Sequence, residues 1–288
     1  MRAGLGCVFA VMTGYGITLT VLPYHVDRVH GLNQLGPDGV ALHVGTLTGA
    51  FSLAQVAAGP VVGRLADRAG RRPVLLVGLV SFAASQAVFA VTSWLPAMYA
   101  LRVGGGVATS AIVVSASAVV ADATPSRERA SGMAWIGTAA GLGVVAGPAL
   151  GGLLGSSGLS VAGVIRLDGY AAPFFVAAAV AGVMVPVALR AIPATNPGGP
   201  LRSAAPVDAE ESTAAPPWPG LRGLLGLAVL SQFGLAVFEG TFVLFGRERM
   251  ALTAGQAGAA FVVCGAVMAV LQPLVVRGLR RRVAPLAR

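Results

Sequence analysis

Lysine is absent from these 288 residues, and the whole positive charge rests on 20 arginines. Charged residues of both signs make up only 11% of the chain, where a soluble domain has about a quarter. A water-soluble globule with a solvated shell is therefore excluded. The chain is 56% hydrophobic and its mean hydropathy is +0.79, so lipid is the solvent for most of it. Cysteine is almost absent. Cys7 and Cys264 each lie inside an apolar segment, which fits small membrane-helix residues and neither a disulfide nor a thiolate metal site. Histidine is scarce, and His25, His30 and His43 are too scattered for a metal centre. There is no phosphate-binding Gly-x-x-x-x-Gly-Lys loop. No enzyme signature, metal or cofactor is expected. The net charge of +9 raises nucleic acid as a partner, but the arginines sit in short stretches between apolar spans and form no basic domain. The expected partner is the bilayer.

Apolar runs of about the 20 residues that cross a bilayer are present in number. They predict helices over about Ala3–Pro23, Gly39–Val62, Pro73–Ser93, Leu95–Ala121, Ser131–Gly155, Gly169–Leu189, Leu221–Phe245 and Ala254–Val276. The first run is long for a secretory signal and has no small-x-small cleavage site before Pro23, so a retained helix is expected. Residues 191–220 hold seven prolines together with Asp208, Glu210 and Glu211, and have no apolar period. They read as a linker. The expected fold is an all-α membrane protein, a helical bundle of about eight spans. Residues 1–190 form a six-helix bundle, 191–220 a cytoplasmic linker, and 221–288 a partial second bundle of two helices and a basic tail.

The arginines orient the chain. Counted over alternate sides of the spans, fifteen fall on the side of Arg2, Arg64, Arg127, Arg190 and Arg277. Four fall on the other side, at Arg28, Arg166, Arg247 and Arg249. The positive-inside bias places both termini and the linker in the cytoplasm. Trp94, Trp135 and Trp218 fall near predicted helix ends, where interfacial aromatics belong.

One short stretch carries most of the polarity between spans 2 and 3. Gly63-Arg64-Leu65-Ala66-Asp67-Arg68-Ala69-Gly70-Arg71-Arg72-Pro73 has five charges between Arg64 and Arg72 and reads as a tight cytoplasmic hairpin loop. Its Gly63, Asp67, Arg68, Gly70, Arg71 and Arg72 resemble, in register, the Gly-x-x-x-Asp-Arg-x-Gly-Arg-Arg loop motif of the major facilitator superfamily. In span 5, Gly143, Gly147, Gly151 and Gly155 recur every four residues and share one face. That face lets another backbone approach closely in lipid. Gly147, Pro148, Gly151 and Gly152 are also similar to the Gly-Pro-x-x-Gly-Gly motif of the drug:proton antiporters of that superfamily, which marks exporters more than importers.

Two charges lie within spans. Arg102 in span 4 costs at least ~2.5 kcal/mol at membrane depth unless it faces a cavity or partner, and the alternative is a side chain that snorkels to the outer end. It resembles the superfamily's span-4 arginine. Gly105 stands where the family usually has Gln. Glu239 is the only acidic residue well inside a span. A carboxyl there can take up and release a proton, or it can be a wet carboxylate of the outer vestibule. A direct Arg102–Glu239 pair is a further possibility. Gln55, Gln86, Gln232 and Gln272 either line a cavity or bond to neighbouring helices.

The resemblance implies alternating access between two bundles, a small-molecule substrate, protons as coupling ion, and efflux as the direction. It implies that Asp67, Arg68 and Arg72 gate the cytoplasmic side by contacting helix ends, some of them in the second half. Asp122, Arg127, Glu128 and Arg129 read as solvated or gate-adjacent charges. The pattern also implies a chain that stops after the eighth of twelve or fourteen helices. Two alternatives follow: a truncated chain with no transport activity, and a metabolite importer. A homo-oligomer could replace the missing helices.

Overall fold

The computed structural model describes residues 1–27, 36–125, 128–156, 160–161, 165–166, 170–193 and 218–267. Within them the chain forms α1 (Arg2–Val26), α2 (Gly36–Ala69), α3 (Arg71–Val91), α4 (Leu95–Asp122), α5 (Arg129–Ser156), α6 (Ala172–Ala191) and α7 (Trp218–Met250). A shorter helix, α8 (Ala254–Val267), follows. Seven of these helices are long and apolar enough to cross a membrane, so the chain is a multi-pass membrane protein. The body of the linker, the end of the eighth span, the basic tail, His30, Arg28 and Arg127 lie outside the described residues. Between α5 and α6 the sequence reading missed a small antiparallel pair, β1 (Ser160–Val161) and β2 (Ile165–Arg166), with Ser160 opposite Arg166.

α1 is the central staff. Its Cys7, Val8, Val11, Ile17 and Val21 are fully buried, and it packs against α4, α5 and α6. Lipid tails are as apolar as these side chains, so hydrophobicity does not hold the helices together. Close backbone approach does. The glycine face of α5 supplies it. A Cβ on Gly147 would stand 2.5 Å from the Thr13 carbonyl oxygen and 2.6 Å from Gly16 Cα on α1. The same holds where α2 crosses α4: a Cβ on Gly106 would collide with the Phe51 carbonyl oxygen.

The charged stretch after span 2 corrects the sequence reading. It is not a loop. α2 continues through Gly63–Ala69, and only Gly70 separates it from α3. The helix continues because Val62 and Ala66, four residues apart, stay buried against Val74 and Ala111. Arg64, Asp67 and Arg68 project from the exposed side of the same turns. Gly70 makes the whole turn alone, at φ 94° and ψ 148°, a region that only glycine adopts at low cost. Gly70→Ala is expected to lose about 1–3 kcal/mol of stability. Gly63→Ala, inside α2 where an added Cβ meets nothing within 4 Å, should leave stability at or above the parent's. Thermal unfolding of the two purified variants in detergent separates these outcomes.

Candidate functional site

Six helices converge on a cavity of about 650 Å³. α1 contributes Met12 and Tyr15, α2 Phe51 and Gln55, α4 Thr109, and α5 Gly137, Ala140, Gly141, Val144 and Val145. From the second half, α7 contributes Ala236, Phe238 and Glu239, and α8 Phe261, Cys264 and Gly265. Gly137 and Gly141 leave open space above them, which widens the chamber on the α5 side. Phe242 stacks on Phe238 at 5.5 Å and meets Phe261 edge-on at 5.4 Å, so the α7–α8 wall is a continuous aromatic surface. The lining is mostly apolar with a few polar groups, the composition of a small-molecule site. Glu239 is the one carboxylate in that lining, and it makes no ion pair among the described residues.

Arg102 is 5% exposed. It faces inward and does not snorkel. Its guanidinium carbon lies 4.9 Å from the Phe89 ring centre and 5.7 Å from that of Phe51. Its Nε is buried without a hydrogen-bond partner. Arg102 and Glu239 form no direct pair. Tyr15 lies within electrostatic reach of both, so the two sequence-predicted charges are neighbours of one aromatic residue and not of each other. Gln55 lines the cavity, and Gln86 Nε2 donates to Thr18 Oγ1 at 3.2 Å, tying α3 to α1. The side chain of Gln232 and the whole of Gln272 lie outside the described residues. Tyr15, Phe51, Phe238 and Phe261 were not singled out from sequence, because aromatic residues in an apolar span look alike whether they face lipid or a chamber.

The glycine motif of α5 serves packing on two sides. Gly143, Gly147 and Gly151 back onto α1, while Gly152 meets the backbone of Ala254 and Gly258 in α8. Pro148 sits in the same stretch, its ring against Gly16 and its carbonyl against Gly258. The motif is thus the surface on which a helix of the second half rests.

The two ends of the molecule differ. At the arginine-rich end, Arg71 forms an ion pair with Asp122 and donates from Nη1 to the Ala118 carbonyl at 2.9 Å. Arg72 donates to the Leu189 carbonyl of α6 at 2.6 Å. These contacts tie α3 to α4 and α6 inside the first bundle. Arg72 thus meets a helix end of the first half, that of α6, and Asp122, 54% exposed, is solvated while it pairs with Arg71. Asp67 and Arg68 make no ion pair among the described residues. At the opposite end the halves are joined. Arg247 of α7 pairs with Asp27 at 2.6 Å, donates to the Pro23 carbonyl at 3.2 Å, and lies over the Tyr24 ring at 5.6 Å. The Tyr24 hydroxyl donates to the Leu252 carbonyl at 2.7 Å. The half of α7 nearer Trp218 is exposed at Leu227, Leu230 and Phe233. Among the described residues, the ion pair and side-chain hydrogen bonds that join the halves lie at the Asp27 end.

Comparison with known proteins places this architecture. Residues 4–287 match the Major Facilitator Superfamily. The chain is 32% identical over 282 residues to the tetracycline resistance protein, class C, of Escherichia coli, covering 94% of this chain and 65% of that protein. It is 30% identical over 147 residues to the quinolone resistance protein NorA of Staphylococcus aureus, covering 51% of this chain and 36% of that one. Among solved structures, the human organic anion transporter MFSD10 superposes with TM-score 0.67 at 26% identity, covering 94% of this chain and 70% of that one. A bacterial homologue of the lysosomal transporter Spinster, in an inward-facing conformation, gives TM-score 0.69 at 15% identity over 93% of this chain and 58% of its own, a likeness of fold. The chain thus spans about 65% of the class C tetracycline resistance protein. With nearly its whole length matching that family, the chain belongs to the Major Facilitator Superfamily.

Proposed function

We propose that the protein carries a small amphipathic molecule out of the cell in exchange for protons, by alternating access in the inner membrane with both termini in the cytoplasm. The observation that carries the reading is Glu239, the one carboxylate on the wall of a mostly apolar chamber. Such a group can be neutralised by a proton or by a cationic part of a substrate, but not by both at once, and that competition is antiport. The resistance names of the relatives support export as the direction. The arginine bias supports the end that carries Arg71 and Arg72 as the cytoplasmic one. Asp67 and Arg68 make no ion pair among the described residues, and in this reading they meet the second half when the cytoplasmic side is shut. The test is reconstitution in liposomes with an imposed pH gradient. Uphill movement of a cationic dye that a protonophore abolishes supports the reading; movement indifferent to the gradient overturns it.

In the same reading the Asp27–Arg247 contact holds the outer side shut. Both side chains are partly solvated, at 42% and 23% exposure, so the pair is worth about 1 kcal/mol, roughly a fivefold shift in closure. Cys264 lines the cavity while Cys7 is buried, which makes Cys264 a natural reporter. A membrane-impermeant thiol reagent added outside should modify it about fivefold faster in Asp27→Asn or Arg247→Gln than in the parent. The charge swap Asp27→Arg with Arg247→Asp should restore slow modification.

A further inference from the structure

Beside the main cavity lies a narrow recess lined by Tyr15, Thr18, Leu19, Thr48, Phe51 and Arg102. Tyr15 and Phe51 line both spaces and stack on each other with ring centres 5.5 Å apart. That stacked pair is the wall between cavity and recess. Behind it sits a guanidinium that is 5% exposed, has its Nε unpartnered, and makes no ion pair among the described residues. The threonines cannot meet its need for an anion. Thr18 and Thr48 already donate their single protons to the carbonyls of Gly14 and Val44, and they present only neutral acceptor oxygens to the recess. The faces of Phe51 and Phe89 offset part of the burial. A planar fork of donors in a dry recess matches a carboxylate, and the Tyr15 hydroxyl adds a further donor at the wall.

We propose that this recess is a second subsite of the cavity, and that it takes the carboxylate of a zwitterionic aromatic substrate whose cationic end meets Glu239. The inference rests on the cavity being the substrate site. With the wall in place the recess has no room for a water molecule, so entry requires Tyr15 and Phe51 to part. Substrate binding is thereby coupled to movement of α1 against α2.

Two dyes with one aromatic cation test it. Rhodamine 110 bears a free carboxylate, and rhodamine 123 is its methyl ester. Binding of each to the full-length protein in detergent is followed by fluorescence polarisation at neutral pH. The parent should bind the carboxylate form about tenfold more tightly or better, as a charged hydrogen-bonded contact gives. The ratio should fall to about one in Arg102→Gln and by an intermediate amount in Tyr15→Phe, with size-exclusion elution confirming folded protein. In Glu239→Gln both dyes should weaken while the ratio persists. Equal binding of the two dyes by the parent, or a ratio that survives Arg102→Gln, overturns the subsite and leaves the cavity reading standing. No binding of either dye by the parent overturns both. Should Arg102→Gln fail to fold, a ratio unchanged in Tyr15→Phe overturns the shared-donor wall and with it the proposal.

Discussion

Glu239→Gln should abolish proton-driven accumulation while leaving downhill exchange of substrate. A glutamine has the shape of the protonated acid and cannot change charge, so the carrier is held in one protonation state. In liposomes with the membrane potential clamped at zero, a one-for-one antiporter under a gradient of one pH unit supports a substrate gradient of about tenfold, since each pH unit and each tenfold ratio are both worth about 1.4 kcal/mol. That ratio should fall to one in Glu239→Gln and recover in Glu239→Asp, although the shorter acid sits about one methylene further from the cavity. Exchange of labelled for unlabelled substrate, with no gradient, should continue in the glutamine variant. The contrast matters because a collapsed cavity would lose both readouts together. An exchange rate that survives while accumulation vanishes assigns the coupling to the carboxyl of Glu239, the one acid in the lining. Accumulation that persists in Glu239→Gln would place the coupling group elsewhere.

The spans were legible in the sequence because a bilayer imposes a length, and runs such as Pro73–Ser93 and Leu95–Ala121 have it. The structure starts and ends α3 and α4 within a few residues of those bounds. The end of α2 was not legible. The apolar run stops at Val62, but the helix goes on to Ala69, because a helix that leaves the membrane trades lipid on its outer face for water without losing its backbone hydrogen bonds. The arginines reported where the bilayer ends and not where the helix does.

The cavity was half legible, for a related reason. Arg102 and Glu239 announce themselves as charges in apolar spans, since a charge there is costly unless something compensates it. Tyr15, Phe51, Phe238 and Phe261 do not. In a soluble helix, apolar residues mark the buried face, but in a membrane helix they mark the lipid face as readily. Periodicity therefore says nothing about which aromatic residue lines a chamber. Val229 and Phe238 both lie on α7, and both are exposed, yet only Phe238 borders the cavity. What separates them is where α8 and α1 lie, and that is set by glycines. A glycine face does carry a sequence signal, the four-residue spacing of Gly143, Gly147 and Gly151, and the structure uses it as the bed for α1.

That bed carries the second large effect expected. Gly147→Val should prevent stable assembly of the first bundle. Even a Cβ at Gly147 would lie 2.5 Å from the Thr13 carbonyl oxygen, 2.6 Å from Gly16 Cα and 2.6 Å from Ile17 N. All three are backbone atoms, and backbone cannot rotate away as a flexible side chain does. α1 and α5 would have to separate by more than an ångström, and α1 cannot move alone, since it is also packed against α4 and α6. Overpacking of a tight interior costs typically 1–3 kcal/mol for extra methylenes that side chains can accommodate; here the neighbour is rigid, so Gly147→Ala should reach about 3 kcal/mol and Gly147→Val should exceed it. The comparison is Gly182→Ala on α6, where an added Cβ meets nothing within 4 Å and where alanine is the better helix former by about 1 kcal/mol. Fluorescence-detected size exclusion after graded heating should show Gly182→Ala at or above the parent, Gly147→Ala well below it, and Gly147→Val without a folded peak. Parent-like stability of Gly147→Val would mean that α5 does not lie on α1 through this face, and the cavity wall built on that contact would have to be redrawn.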